Sequence, residues 1–185
     1  MAKRPGRHAL PRYTLPAGLS MAVTPIGVVH SPFQWRDEAP RQPTVGEPQR
    51  ATIVLRPGMQ NALKDFKGFE YCWVIFWFSY SRGWKQQIVP PRDTVKRGVL
   101  STRSPDRPNA IGLSAVRLFE ISGKRLLVGE LDILDGSPVL DIKPYVSQYD
   151  SYPAQQCGWL DGERAQKGVI VADDRFEILP ACAPS

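Results

Sequence analysis

Short apolar runs, rich in β-branched and aromatic residues, alternate along the chain with polar segments that contain proline and glycine. Such runs predict β-strands, because branched side chains pack well on a pleated surface and Gly and Pro end a strand. The predicted strands lie at 23–30, 51–55, 69–80, 98–103, 111–121, 125–131 and 139–142. Weaker patterns at 168–171 and 176–179 indicate two further candidate strands.

Two features refine this assignment. The run 69–80 (FEYCWVIFWFSY) is almost entirely apolar, which predicts a strand buried on both faces. The segment 59–67 has apolar residues at helical spacing before Gly68, which predicts one short helix. The polar segments 34–49 and 81–97 are expected to be irregular loops.

Taken together, the pattern predicts a mainly β fold, a closed or nearly closed antiparallel β-barrel with one or two short helices. There is no βαβ alternation, and no GxGxxG motif follows a strand, which argues against a Rossmann-type cofactor domain. We expect a basic N-terminal arm at 1–21, a barrel domain at 22–160 and a short C-terminal extension at 161–185.

Composition narrows the class of protein further. The 185 residues include three cysteines far apart and only two histidines. The cysteines argue against a disulfide framework and a thiolate zinc site, and they predict a reducing, cytoplasmic location; two histidines are too few for a His-rich metal centre, so we expect no metal. No run of 18 apolar residues predicts a membrane span, and the basic start lacks the apolar region of a secretory signal.

The net charge of +6 comes mostly from the N-terminus, because residues 1–36 carry five basic residues and no acid. Two interpretations of this arm stay open. It is either a solvated, disordered tail, as its prolines favour, or an arm that contacts phosphates.

Three polar segments interrupt the apolar strands. In 39–43 (APRQP) two prolines bracket Arg41 and Gln42, which stiffens the backbone where those side chains project; an ordinary rigid loop is the alternative. In 102–114, two arginines four residues apart flank a proline turn and suit a carboxylate or phosphate, although turn capping and surface ion pairs also explain them.

The third segment, 131–145, places three aspartates among apolar residues. A carboxylate in apolar surroundings needs a partner, and Arg103, Arg107 and Lys143 are candidates. Such a carboxylate can also receive the two hydroxyls of a ribose. Asp-Gly turn chemistry explains Asp135 but neither Asp132 nor Asp141.

These segments, in order, carry a resemblance to a known family. The motifs are 25–33 (PIGVVHSPF), 40–43 (PRQP), 102–109 (TRSPDRPN), 111–114 (IGLS) and 134–145 (LDGSPVLDIKPY). Over roughly 23–160 the chain resembles the TsaA-like tRNA methyltransferases. Counting 102–109 with 111–114 as one motif, four ordered motifs with matching spacing make this resemblance specific.

The resemblance implies a non-Rossmann β-barrel that binds S-adenosyl-L-methionine, acts as a homodimer and methylates N6 of the threonylcarbamoyl-modified adenosine beside the tRNA anticodon. It also implies the cofactor contacts, which would be Pro40, Arg41, Gln42, Phe78, Ser79, Arg103, Leu113, Asp132, Ile133, Leu134 and Asp135.

Chemistry suggests further roles. N6 is a poor nucleophile, so a group that accepts its proton would help, and Asp135 and Asp141 are the candidate catalytic residues. Arg103 is expected to hold the methionine carboxylate. The candidate substrate-binding residues are Trp84 and Tyr145 for stacking on an unstacked base, with Arg107, Asn109 and Lys143 for polar contacts.

Two alternatives remain. One is a methyltransferase of the same fold that acts on a small molecule or another RNA, which Ser79 favours because the family often has His there. The other is a β-barrel that binds nucleic acid without catalysis.

Overall fold

The computed structural model describes residues 18–40, 49–91 and 93–162. Its eight strands are β1 (Gly27–His30), β2 (Arg50–Leu55), β3 (Tyr71–Trp77), β4 (Gln87–Ile88), β5 (Arg97–Gly98), β6 (Ile111–Ser122), β7 (Arg125–Gly129) and β8 (Pro138–Pro144). One short helix, α1 (Ser147–Asp150), follows β8, and single 3₁₀ turns lie at Gln60–Leu63, Val99–Ser101 and Gly158–Asp161.

Six of these strands close into a barrel in the order β1-β2-β7-β6-β3-β8. Every pairing is antiparallel, and β8 closes the ring by pairing with both β1 and β3. Closure satisfies the backbone groups that an open sheet edge would expose. The predicted closed antiparallel barrel is confirmed, whereas β4 and β5 form a separate two-stranded hairpin.

The barrel interior is the hydrophobic core. Alternate residues of the strands point inward and are fully buried, among them Val29, Ile53, Val74, Val116 and Leu126. This alternation corrects one expectation about β3. Its inner residues are buried while its outer ones are half-buried or exposed, so the prediction of a strand buried on both faces is wrong. A single closed barrel has only one inner face, and the apolar outer residues therefore remain on the surface.

Gly112 is a point of close packing inside the barrel. A Cβ atom at this position would lie 2.3 Å from Cζ of Phe76, so only glycine leaves room for that ring on the neighbouring strand. The Phe76 ring in turn meets the Phe78 ring edge-on at 4.9 Å between centroids. The core therefore supports the segment just after β3, where predicted cofactor contacts lie.

Three local predictions differ from the structure. The strand predicted at 98–103 is wrong: a 3₁₀ turn occupies Val99–Ser101, because the hydroxyls of Ser101 and Thr102 bond back to the carbonyls of Gly98 and Val99. The helix predicted over 59–67 shortens to one 3₁₀ turn, which ends before Asp65 at a φ of 62°. The loop predicted at 81–97 contains most of the β4–β5 hairpin.

Several expectations fall on residues outside the described ranges, namely the arm up to residue 17, the extension from 163 onward and the candidate strands at 168–171 and 176–179. Within the described ranges, no helix combines the length and apolar character needed to cross a membrane. The same part of the chain contains no group of three or more His, Cys, Asp or Glu residues that could hold a metal ion.

Candidate functional site

The site is built around the 131–137 loop, which connects β7 to β8 and packs on the end of β1. The backbone N–H of Gly136 donates to the Val29 carbonyl at 2.9 Å, and that of Asp135 donates to the Phe33 carbonyl at 2.8 Å. The Ser31 hydroxyl donates to the Ile133 carbonyl at 2.8 Å. These bonds give the loop a fixed backbone, with Ile133 buried and Leu134 packed against the core.

Asp135 presents its carboxylate at the surface of this loop. Its Oδ1 accepts the backbone N–H of Ser31 at 3.0 Å and lies 3.7 Å from Nδ1 of His30. Its carbonyl accepts the Tyr80 hydroxyl at 3.3 Å. The side chain is 41% exposed, so an anchored carboxylate remains accessible to a ligand.

Asp132 lies deeper in the same loop. Its Oδ1 accepts the hydroxyl of Ser114, a buried residue of β6, at 2.6 Å. Burial raises the pKa of the Asp132 carboxyl above its ordinary value, while the Ser114 hydrogen bond and the charge of Arg103 act in the opposite direction. The protein therefore keeps a half-buried carboxyl group at this point of the loop, within reach of a basic side chain.

The 102–109 turn approaches this loop from the β6 side. Arg103 is near enough for its charge to act on Asp132, as the sequence predicts for one of the two arginines. Nη1 of Arg107 donates to the Thr102 carbonyl at 3.3 Å, which closes the turn. Asn109 is exposed, and Ala110 follows with a φ of 45°.

Phe78 and Ser79 join the same region through the end of β3. The backbone N–H of Phe78 donates to the Ala110 carbonyl at 2.8 Å, and that of Ser79 donates to the Trp77 carbonyl at 2.9 Å. Both residues are half-buried. The structure thus brings together Phe78, Ser79, Arg103 and the 132–135 stretch at one end of the barrel.

Asp106 connects these segments, although we predicted no role for it. Its Oδ1 accepts the Ser81 hydroxyl at 3.1 Å and the Arg82 backbone N–H at 3.0 Å, and it pairs with Arg36 at 3.4 Å. Arg36 also donates to the Tyr80 carbonyl. An acid between two arginines in a proline turn was a usable signal, whereas the roles of Ser31, Tyr80 and Ser114 depend on contacts distant in sequence.

Three of the predicted residues lie elsewhere, along the end of β8. Oδ2 of Asp141 pairs with Nζ of Lys143 at 2.6 Å, and Asp141 stands opposite Ile75 of β3 on the outer face of the barrel. The Tyr145 ring packs on Trp73 at 5.4 Å between centroids. Within the described ranges, the contacts found between these side chains and others are the Asp141–Lys143 pair and the ring contacts of Tyr145 with β3, so these residues lie apart from the 131–137 loop.

The remaining predicted residues are spread along the chain. Leu113 is exposed on the outer face of β6, also opposite Ile75. Trp84 is 51% exposed in the segment that carries the β4–β5 hairpin. Pro40 is half-buried at the end of a described stretch, and Arg41 and Gln42 lie outside the described residues.

Comparison with known proteins shows the family to which this chain belongs. The family model described as the tRNA-methyltransferase O N-terminal domain matches residues 28–151, about two thirds of the chain. The chain belongs to the tRNA-methyltransferase O family. This confirms the TsaA-like resemblance read from the motifs.

Curated relatives of this family differ in length. A probable S-adenosyl-L-methionine-binding protein of Pyrococcus abyssi is 38% identical over 161 residues, covering 87% of this chain and 88% of that protein. The tRNA (adenine(37)-N6)-methyltransferase of Escherichia coli is 36% identical over 155 residues, covering 78% and 66%. That of Mus musculus is 39% identical over 139 residues, covering 71% and 32%.

Solved structures of the tRNA-methyltransferase O family share the barrel. The crystal structure of TrmO from Pseudomonas aeruginosa is 34% identical, with a TM-score of 0.64 over 76% of this chain and 63% of that one. The chain thus spans nearly the whole of the archaeal relative, but about a third of the mouse enzyme and less than two thirds of the bacterial structure.

Proposed function

We propose that this protein is an S-adenosyl-L-methionine-dependent methyltransferase that acts on N6 of the adenosine next to the tRNA anticodon. The observation that carries the proposal is the meeting of the 131–137 loop with Arg103 and with Tyr80, from the segment after β3, at one end of a barrel of the tRNA-methyltransferase O family. Mouse and Escherichia coli relatives are named tRNA (adenine(37)-N6)-methyltransferases, and archaeal ones S-adenosyl-L-methionine-binding proteins.

The residues of this region fit the proposed cofactor. Asp132 is a partly buried carboxylate with one short side-chain hydrogen bond, which suits the paired hydroxyls of a ribose. Arg103 is an exposed cation beside it and suits the methionine carboxylate, because a guanidinium fork binds two oxygens at once. Phe78 offers an apolar wall, and Pro40, Arg41, Gln42 and Leu113 complete the expected contacts.

The chain's own task in the reaction is to orient N6 and to accept a proton from it. When bound, S-adenosyl-L-methionine supplies an already activated methyl group, so alignment accounts for most of the rate. Asp135 is the proposed proton acceptor: the Ser31 N–H fixes it and it remains exposed. Asp141 is the second candidate, and its contact with Lys143 on the outer face makes Asp135 the better supported of the two.

A threonylcarbamoyl group on the adenine adds a carboxylate to the substrate, and this finer assignment is also a proposal. Arg107 suits that carboxylate, because Nη1 is held by the Thr102 carbonyl and the rest of the fork can bind oxygens. Asn109, exposed in the same turn, is the proposed partner of the base edge. Trp84 or Tyr145 would stack on the unstacked base, and Lys143 would contact the RNA.

The proposed assembly is a homodimer through the outer face of β3 and β6. Three consecutive cross-strand pairs place apolar side chains on this face: Trp73 with Ala115, Ile75 with Leu113 and Trp77 with Ile111. Trp77 is 47% exposed and Leu113 is 56% exposed. A second copy would cover this face and bring its own residues next to Leu113, a proposed cofactor contact. We also propose a cytoplasmic location, because the proposed substrate is tRNA.

Transfer of a labelled methyl group to tRNA tests the proposed function. The protein is incubated with labelled S-adenosyl-L-methionine and bulk tRNA, and the RNA is digested to nucleosides for mass spectrometry. We expect label in an N6-methylated threonylcarbamoyladenosine, and little label in tRNA that lacks the threonylcarbamoyl group. Label in small metabolites only, or no transfer at all, would contradict the proposal.

A further inference from the structure

Residues 82–101 form an excursion that leaves and rejoins the barrel at the site. At its start, Asp106 accepts the Ser81 hydroxyl and the Arg82 N–H. At its end, the chain enters the 102–109 turn, where the Thr102 carbonyl accepts Nη1 of Arg107. Both ends of the excursion are thus bound to the turn that carries the proposed ligand-binding arginines.

The excursion has a defined internal structure. The β4–β5 hairpin pairs Gln87 with Gly98 and Ile88 with Arg97. Asp93 closes it: one oxygen accepts the N–H groups of Thr94 and Val95, and the other accepts Nε of Arg97 at 2.7 Å. A hairpin this short needs such support, since two-stranded hairpins are marginal on their own.

A tryptophan from the far end of the described chain fastens the excursion. Nε1 of Trp159 donates to the Ser101 carbonyl at 2.8 Å, and Cζ of Arg97 lies 5.5 Å from the centre of its ring. This contact joins residues 58 positions apart and involves the same arginine that Asp93 holds. Trp159, Arg97 and Asp93 together form what we call the Trp159 latch.

The charge of the excursion is unlike that of the barrel. By sequence it holds five basic residues and one acid, a net charge of +4. Because the whole chain carries +6 and residues 1–36 carry +5, the remainder carries −3. Within the excursion, Lys85 and Lys96 are exposed, and so is Trp84 between Arg82 and Lys85.

We propose that the 82–101 excursion docks the RNA backbone of the substrate, and that Trp159 is a positioning residue that holds it in register with the site. The inference rests on the proposed function, because it takes RNA as the substrate. Lysine side chains would contact phosphates, Trp84 would stack on a base, and the latch would set the distance from these contacts to Arg107. An exposed tryptophan among basic side chains, in a segment anchored at the site, is typical of a nucleic-acid-binding surface.

Binding of an unmodified tRNA transcript to the full chain, measured by fluorescence anisotropy over a range of NaCl concentrations, tests the docking surface. The slope of log K against log salt is negative, and the double variant Lys85→Ala/Lys96→Ala should make it shallower by about 1.4 to 1.8, since each phosphate contact contributes about 0.7 to 0.9. Its affinity for S-adenosyl-L-methionine should stay unchanged. The matched control is Lys64→Ala/Lys67→Ala, two exposed lysines outside the excursion, with an unchanged slope.

Trp159 is tested by a pair of variants. Trp159→Ala should raise the KM for tRNA several-fold and leave the affinity for S-adenosyl-L-methionine unchanged, whereas Trp159→Phe, which keeps a ring over Arg97, should recover part of the loss. Two results would overturn the inference and leave the methyl transfer by the wild type unaffected. One is the same salt slope for both lysine double variants, and the other is an unchanged KM for tRNA in Trp159→Ala. Failure of the wild type to methylate threonylcarbamoyl-modified tRNA would instead overturn the proposed function.

Discussion

At the scale of single residues, the site depends on carboxylates held in unlike surroundings. Asp135 is exposed and anchored by backbone, whereas Asp132 is partly buried and bonded to Ser114. The raised pKa of Asp132 means that the folded protein binds its proton more tightly than the unfolded chain does. Its contribution therefore favours folding at acid pH, and that contribution is lost as the pH rises through the raised pKa. Because Asp132 lowers the stability of the fold at neutral pH, a role in ligand binding explains its presence better than a role in folding.

Asp132→Asn should separate binding from stability. We expect the free energy of unfolding at pH 7 to stay equal or to rise, because the charge is gone and the amide oxygen can still accept the Ser114 hydroxyl. We expect affinity for S-adenosyl-L-methionine to fall about tenfold or more, since hydrogen bonds to charged groups contribute about 1.5–3 kcal/mol. Denaturant melts and calorimetry on the same samples measure both. A lower stability with unchanged affinity would assign Asp132 a structural role.

Gly112 carries a second prediction, about packing. Gly112→Ala should destabilise the protein by about 1–3 kcal/mol, because the added methyl group would overlap the buried Phe76 ring. Gly98→Ala is the control, since nothing lies within 4 Å of a Cβ atom built there. Urea melts of the two variants compare them directly. Equal stability would show that the ring can move at no cost.

At the scale of elements, the barrel strands were predictable and the segments between them less so. Alternation and turn residues locate β6, β7 and β8, because each strand's pattern is local. The prediction of a strand at 98–103 was wrong, since hydroxyl-to-backbone bonds select a 3₁₀ turn that composition does not reveal. The β4–β5 hairpin depends on Asp93, whose partners are local in sequence, and on Trp159, whose contact with Ser101 spans 58 positions and cannot be predicted from a local pattern.

The residues of the site, like the strands, were predictable only where a local motif identifies them. The motifs around Arg103 and Asp132 were identified from the sequence, and the structure places both in one electrostatic environment. The positions of Asp141, Lys143 and Tyr145 on the outer side of the barrel could not be read from spacing alone. A bulge in the pairing of β8 with β3, between Ile75 and Phe76, shifts the register there, and which face each side chain takes follows from that register.

The outer face of β3 and β6 carries a prediction about assembly. Ile111→Lys should shift the protein from dimer to monomer in analytical ultracentrifugation, because a charge would have to be buried between Trp77 and the second copy. Leu100→Lys, at a more exposed apolar position outside the barrel sheet, should leave the dimer intact. A wild-type monomer at all concentrations would contradict the proposed dimer.

At the scale of the whole molecule, the barrel is a rigid frame whose end gathers distant segments. The end of β1, the end of β3, the 102–109 turn and the 131–137 loop meet there through backbone bonds and through Asp106. Rigid strands hold such a site more closely than loops alone. The excursion and the Trp159 latch extend this frame on one side, toward the proposed RNA.

Isothermal calorimetry shows whether these segments form one pocket for S-adenosyl-L-methionine. We expect saturable binding by the wild type, about tenfold or more weaker binding by Arg103→Ala and by Asp132→Asn, and wild-type affinity for Asp141→Asn. The absence of binding by the folded wild type, or equal affinities for all four proteins, would contradict the proposed single pocket.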